Sequence, residues 1–199
     1  MTPIIVTKNL SGPRTRLRLP RPVGAGIVVG VLAALVASLP VALAGERAPT
    51  TFNGSCELSG TVRFKPPMTN EPQSGRVKGR LHGECTGTLT NRKGTRSIDG
   101  KRVKSRVHSS GLESCAAGRG EGAGYLKFGR SKLRFTYEEV RTGPVLVLDA
   151  AGAAGGSAVA EGNVSTSEDP GPILEACGSE GLRRAPVDVQ LRTTPEISG

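Results

Sequence analysis

The chain has 199 residues, with 27 Lys and Arg against 17 Asp and Glu, a formal net charge of +10, and only 3% aromatic residues with no Trp. That length suits one domain with a modest core and excludes two large ones. The 28 glycines recur inside strand-like segments and form no low-complexity tract, and a core so short of aromatic bulk gains most from covalent staples.

Arg14, Arg16, Arg18 and Arg21 precede an apolar run from Val23 to Pro40, which is followed by Ala42-Leu43-Ala44. A basic stretch, an apolar stretch and a small-x-small site predict a secretory signal peptide over residues 1–44, cut between Ala44 and Gly45. The run is also long enough for an uncleaved N-terminal anchor in which residues 22–44 cross the membrane. Pro40 and the Ala42/Ala44 pair favour cleavage, and the absence of an Arg-Arg pair favours the general export route. Either way, residue 45 onward is expected outside the cytoplasm, secreted or held at the membrane. Lys8 and the four arginines are the only charges before Gly45, so the remainder carries +5. In an oxidising compartment Cys56, Cys85, Cys115 and Cys177 are expected to pair as disulfides.

Residues 45–55 read as a linker, 56–193 as a disulfide-stapled β domain and 194–199 as a tail. Cys56, Leu58, Gly60, Val62 and Phe64 alternate with polar neighbours, which predicts a half-buried strand ended by Pro66-Pro67. Val77, Gly79, Leu81, Gly83, Cys85, Gly87 and Leu89 give a second strand. Placing Cys56 opposite Cys85 sets Leu58 against Gly83, Gly60 against Leu81, Val62 against Gly79 and Phe64 against Val77. Large inward side chains then face glycines, as a tightly curved inner surface requires, and a one-residue slip would turn every apolar group outward. That register predicts a Cys56–Cys85 bridge and leaves Cys115–Cys177.

Asn91–Gly94 reads as a turn, and 101–109 as a third strand with Val103, Ser105 and Val107 inward. A fourth strand has Gly120, Gly122, Gly124, Leu126 and Phe128 inward, and a fifth has Leu133, Phe135 and Tyr137. In the expected pairing Phe128 meets Leu133, Leu126 meets Phe135, and Tyr137 covers Gly124. Val145–Leu148 is apolar on both faces and reads as a central strand. A weak strand over 157–164, a helix N-capped at Asp169-Pro170 that buries Ile173, Leu174 and Cys177, and a strand with Val187, Val189 and Leu191 inward complete the chain. The expectation is an all-β antiparallel sandwich or small barrel of about eight strands, with one short helix near the C-terminus.

Catalytic constellations are missing. His82 and His108 fall on the solvent side, Ser109 and Ser110 lack the strand–turn–helix of a nucleophile elbow, and no Cys-x-x-Cys or paired histidine would hold a metal. Adjacent Glu138 and Glu139 point to opposite faces of a strand and make a poor dyad, while Glu168-Asp169 suits a helix N-terminus. The Gly118-x-Gly-x-Gly-x-Gly124 run alternates within a strand, so packing room fits it better than phosphate binding. Asn53 and Asn163 match glycosylation acceptors that matter only in a eukaryotic host. The reading is a non-catalytic protein with no metal and no cofactor.

Charge is the remaining signal, for residues 45–110 hold 13 basic and 5 acidic residues whereas 111–199 hold 9 and 12. Parity puts Arg63, Lys65, Arg76, Lys78, Arg80, Arg102, Lys104 and Arg106 on one outward face. That face either solvates the protein or docks an anionic envelope polymer, a lipid headgroup or an acidic protein. Nucleic acid is not expected without exposed aromatics to stack bases. The alternatives are a barrel carrying a small apolar ligand, or an enzyme of another type. Cys56-Glu-Leu-Ser-Gly-Thr-Val-Arg-Phe-Lys-Pro-Pro-Met-Thr69, with Gly83-Glu-Cys-Thr-Gly-Thr88, resembles bacterial secreted β-proteins with no assigned activity, so the resemblance implies no site.

Overall fold

The computed structural model describes residues 48–164 and 171–199. The export segment and the Asp169-Pro170 cap lie outside the described residues. Eight antiparallel strands close into a barrel in sequence order: β1 (Thr51–Met68), β2 (Gln73–Asn91), β3 (Gly94–Glu113), β4 (Ala117–Phe128), β5 (Ser131–Thr142), β6 (Val145–Gly152), β7 (Gly155–Val164) and β8 (Leu182–Ser198). A helix, α1 (Gly171–Gly178), stands between β7 and β8. Closure leaves no sheet edge, which is how a long-stranded β protein avoids pairing with its neighbours.

The β1–β2 register is the one the alternation requires, with Cys56 opposite Cys85, Leu58 opposite Gly83 and Val62 opposite Gly79. Both expected disulfides are present, Cys56–Cys85 across the first hairpin and Cys115–Cys177 between the β3–β4 turn and α1. The barrel reaches beyond the expected domain limits at both ends. Thr51–Ser55 belong to β1 and 194–198 to β8, because Phe52 and Ile197 are opposite each other and almost wholly buried. Nor do Pro66 and Pro67 end β1. The strand continues to Met68, and its pairing with β8 skips from Arg63 to Met68 across the prolines, which have no N–H to donate.

Two further expectations change. The β4–β5 pairing is offset by two residues, so that Leu126 meets Leu133, Gly124 meets Phe135 and Gly122 meets Tyr137. A two-residue offset preserves parity; the turn decides it, since Phe128 pairs with Ser131 and leaves only Gly129 and Arg130 between the strands, Gly129 with φ of 64°. β6 is not buried on both faces. A closed barrel gives each strand one inner and one outer side, so Leu146 and Leu148 are half-buried while Val145 and Val147 are exposed. In α1, Cys177 is buried and Ile173 packs against the core, whereas Leu174 faces solvent.

Inside, the end formed by the start of β1 and the end of β8 is filled. Phe52, Leu89, Phe128, Leu133 and Ile197 are each at most 1% exposed, and the Phe52 and Phe128 rings lie 5.2 Å apart. At the opposite end, where β3 and β5 finish, the interior turns polar.

Candidate functional site

Two features merit chemical description: an outer groove and the polar end of the interior. The groove follows from the barrel's geometry. Twisted strands closing on themselves make a hyperboloid whose outer wall is concave along the strands. A groove of about 1580 Å³ lies over β1–β5 and reaches β8, and Gly60, Gly79, Gly122, Ala123 and Gly124 are among the residues of its wall.

All eight residues expected on the basic face are exposed on the outer surface of the adjacent strands β1, β2 and β3. Five of them line the groove: Arg63, Arg76, Lys78, Arg80 and Arg106. Lys65, Arg102 and Lys104 do not; Arg102 instead approaches Glu84 at 3.9 Å. Arg134 of β5 and Arg184 of β8 join the groove and were not anticipated. Their outward parity is legible beside Leu133 and Ala185, but only closure sets Arg184 opposite Arg63. Cations face cations across the ladders, Arg63 against Lys78, Lys65 against Arg76 and Arg80 against Arg106. Among the described residues none of the five groove cations forms an ion pair, and Glu121 is the one acid in the lining. His82 and His108 also line the groove. Tyr125 borders it with the Lys132 ammonium 3.8 Å above its ring.

The interior site was not anticipated. β4 presents glycine at every inward position from 118 to 124, and the side chains opposite lean into the vacated space. A Cβ on Gly122 would lie 2.5 Å from the Tyr137 ring, one on Gly124 2.9 Å from Phe135, and one on Gly120 3.2 Å from the Glu139 carboxylate. One on Gly118 would collide with the carboxylate of Glu113. The glycine run is therefore packing room, as its period of two implies, but for a polar string as well as for an aromatic ring.

In that string Ser109 donates to Glu139 Oε1 at 3.1 Å, and Arg141 Nη2 donates to Glu113 Oε2 at 3.2 Å. The arginine also binds the Cys115 and Gly143 carbonyls through Nη1, at 3.2 and 2.9 Å, and the Ser114 carbonyl and Met68 Sδ through Nη2. It thus fastens the β3–β4 and β5–β6 turns together beside the Cys115–Cys177 bridge. Burial, and next the Glu113 charge, push Glu139 up to about 7. Burial and then Glu139 raise the Tyr137 hydroxyl well above its ordinary range. Glu139 does not pair with Glu138, which is exposed; its carboxyl neighbour is Glu113, brought from β3. The signal was parity alone, since continuing the alternation of β5 past Tyr137 turns Glu139 and Arg141 inward.

Among the described residues no group of three or more His, Cys, Asp or Glu is arranged to hold a metal ion. The described residues form a closed antiparallel barrel with one short helix, a groove on its outer surface and polar side chains at one end of its interior. No family model matches the chain, and no curated protein or solved structure shows significant similarity to it.

Proposed function

We propose that this protein is an exported, non-catalytic β-barrel that docks on an anionic cell-envelope polymer through the groove over β1–β5. The observation that carries the reading is the set of like-charge pairs, Arg63 with Lys78 and Arg80 with Arg106, directly opposite each other and, among the described residues, without acidic partners in an ion pair. Such pairs weaken a sheet by a few tenths of a kcal/mol each or more. Solvation alone would be served as well by charges of mixed sign, whereas a polyanion reverses the sign of every one of these interactions. Neighbouring strands and alternate residues set the cations on a lattice of about 5 by 7 Å. A flexible polymer with closely repeated charge engages several at once; a single anion engages one. Tyr125 has one ring face covered by Lys132, which leaves little platform for stacking bases.

The test is retention of the full chain on long-chain polyphosphate, used as the model polyanion. Affinity should fall steeply as NaCl is raised from about 50 to about 200 mM, because exposed charges are screened within about 8–10 Å. Substituting Lys78→Ser with Arg80→Ser should weaken binding by about tenfold or more and flatten the salt response, with the melting temperature unchanged or slightly raised. A folded double variant with full affinity and the original salt response would make the groove an ordinary solvated surface.

A further inference from the structure

The chain has two histidines, and both are exposed in the outer groove. His108 stands on β3, opposite Lys78 of β2 and Ala123 of β4. Diagonal to it are Arg76 and Arg80 on one side, Glu121 and Tyr125 on the other, with Arg106 and Ser110 flanking it along β3. His82 stands on β2, opposite Ser59 of β1 and Lys104 of β3. Its diagonal neighbours are Glu57 and Thr61 on β1 and Arg102 and Arg106 on β3, and Arg80 and Glu84 flank it along β2. Cations thus outnumber acids around both rings, and Glu84 already approaches Arg102 at 3.9 Å.

Imidazole is the side chain whose ordinary titration falls between pH 5 and 8, and it gains a positive charge as pH falls. In the free protein each such proton adds one more like charge to a crowded face. Against a docked polyanion the same proton adds an attractive contact, since both rings stand among the cations that would hold the polymer. Proton uptake and polyanion binding then strengthen each other reciprocally. We propose that docking in the groove is gated by protons through His82 and His108, so that a polyanion is held tightly in mildly acidic surroundings and released as pH rises. The inference rests on the polyanion reading of the groove and adds its regulation. Glu139 also titrates near this range, at about 7, but it is buried inside the barrel against Ser109 and Glu113.

Calorimetric titration of the full chain with long-chain polyphosphate at pH 6 and pH 8 tests the assignment. Ordinary carboxylates are ionised throughout that interval, so the charge gained on the outer surface belongs to imidazole. In about 100 mM NaCl, affinity should be about tenfold or more higher at pH 6 than at pH 8. The dependence of log affinity on log salt should steepen by about 1.5, as two further polyanion contacts require. Titrations at pH 7 in buffers of different ionisation heat should show net proton uptake on binding. His82→Gln combined with His108→Gln should bind at pH 8 as the parent does, and should lose the rise at pH 6 and the proton uptake while Glu139 keeps its own titration. Absence of salt-sensitive binding at both pH values would sink the polyanion reading and this inference together. Salt-sensitive binding of equal strength at both pH values, or a pH response that persists in the folded double variant, would overturn this inference alone.

Discussion

Glu139 shows how a single side chain inside a β-barrel acquires a distinctive titration. It is 9% exposed, accepts from Ser109 and shares its surroundings with the Glu113 carboxylate, whose charge Arg141 offsets. Burial first and Glu113 second disfavour the ionised form, and Glu139 titrates near 7 in place of 4.5. A carboxyl group raised in the folded state holds its proton there while the unfolded chain has already released it. The stability it contributes is full below about pH 4.5, is lost as pH rises between about 4.5 and about 7, and is gone above that range. The loss is on the order of 3 kcal/mol. Glu139→Gln keeps a hydrogen-bonding group of the same shape and removes the titration. The variant should therefore match the parent near pH 5 and exceed it in stability near pH 8. Urea denaturation of both proteins across this range measures the difference, and equal pH profiles would place the proton elsewhere.

At the scale of elements, the first hairpin and β4 solve the same problem by different glycine patterns. A strongly curved wall cannot accommodate bulk at every inward position. In β1 and β2 large and small residues alternate across the ladder, so Leu58 lies over Gly83 and Leu81 over Gly60. In β4 the glycines run consecutively on the inward face, and β5 with the end of β3 supplies all the bulk. The Cys56–Cys85 bridge joins directly opposed residues, Cα to Cα 4.0 Å, and closes a separation of 29 residues. In the loop-entropy description such a closure is worth about 3–4 kcal/mol. Replacing both cysteines by Ala should lower the melting temperature by about 10 °C while keeping the barrel's far-ultraviolet circular dichroism. A shift of no more than a degree or two would mean that the hairpin register already confines the unfolded chain.

At the scale of the molecule, closure rests on the two chain ends described here. Ile197 sits opposite Phe52 on one side and Gly156 on the other, Thr51 and Ser198 share a hydroxyl hydrogen bond of 2.7 Å, and Thr50 and Gly199 exchange backbone bonds. Deleting 195–199 removes a side chain that is 1% exposed and uncovers Phe52 together with the ends of β1 and β7. The hydrophobic loss alone is about 2–5 kcal/mol, and the freed edges offer unpaired N–H and C=O groups to other chains. Light scattering and thermal melts should show a destabilised protein that associates with rising concentration. A monomer of unchanged stability would show that the barrel closes without its last residues.

The sequence by itself determined which side chains face inward, because the period of a strand is two and a slip of one residue would expose every apolar group. That parity specified the β1–β2 register with its Cys56–Cys85 bridge, which left Cys115–Cys177 by elimination, and the outward position of Arg63, Lys78 and Arg106. It equally turned Glu139 and Arg141 inward, although polar residues at buried positions are easily passed over in a search for apolar alternation. Parity is silent on shifts of two, so the β4–β5 pairing waited for a turn with only Gly129 and Arg130 between the paired residues. It is silent too on which distant strands become neighbours. Only closure of the barrel brought β8 beside β1, adding Arg184 to the groove and turning the expected tail into a strand. Only tertiary packing set Glu113 of β3 among Glu139, Gly118 and Arg141, since the proximity of two buried carboxyls depends on space left by a third strand, which no local pattern encodes.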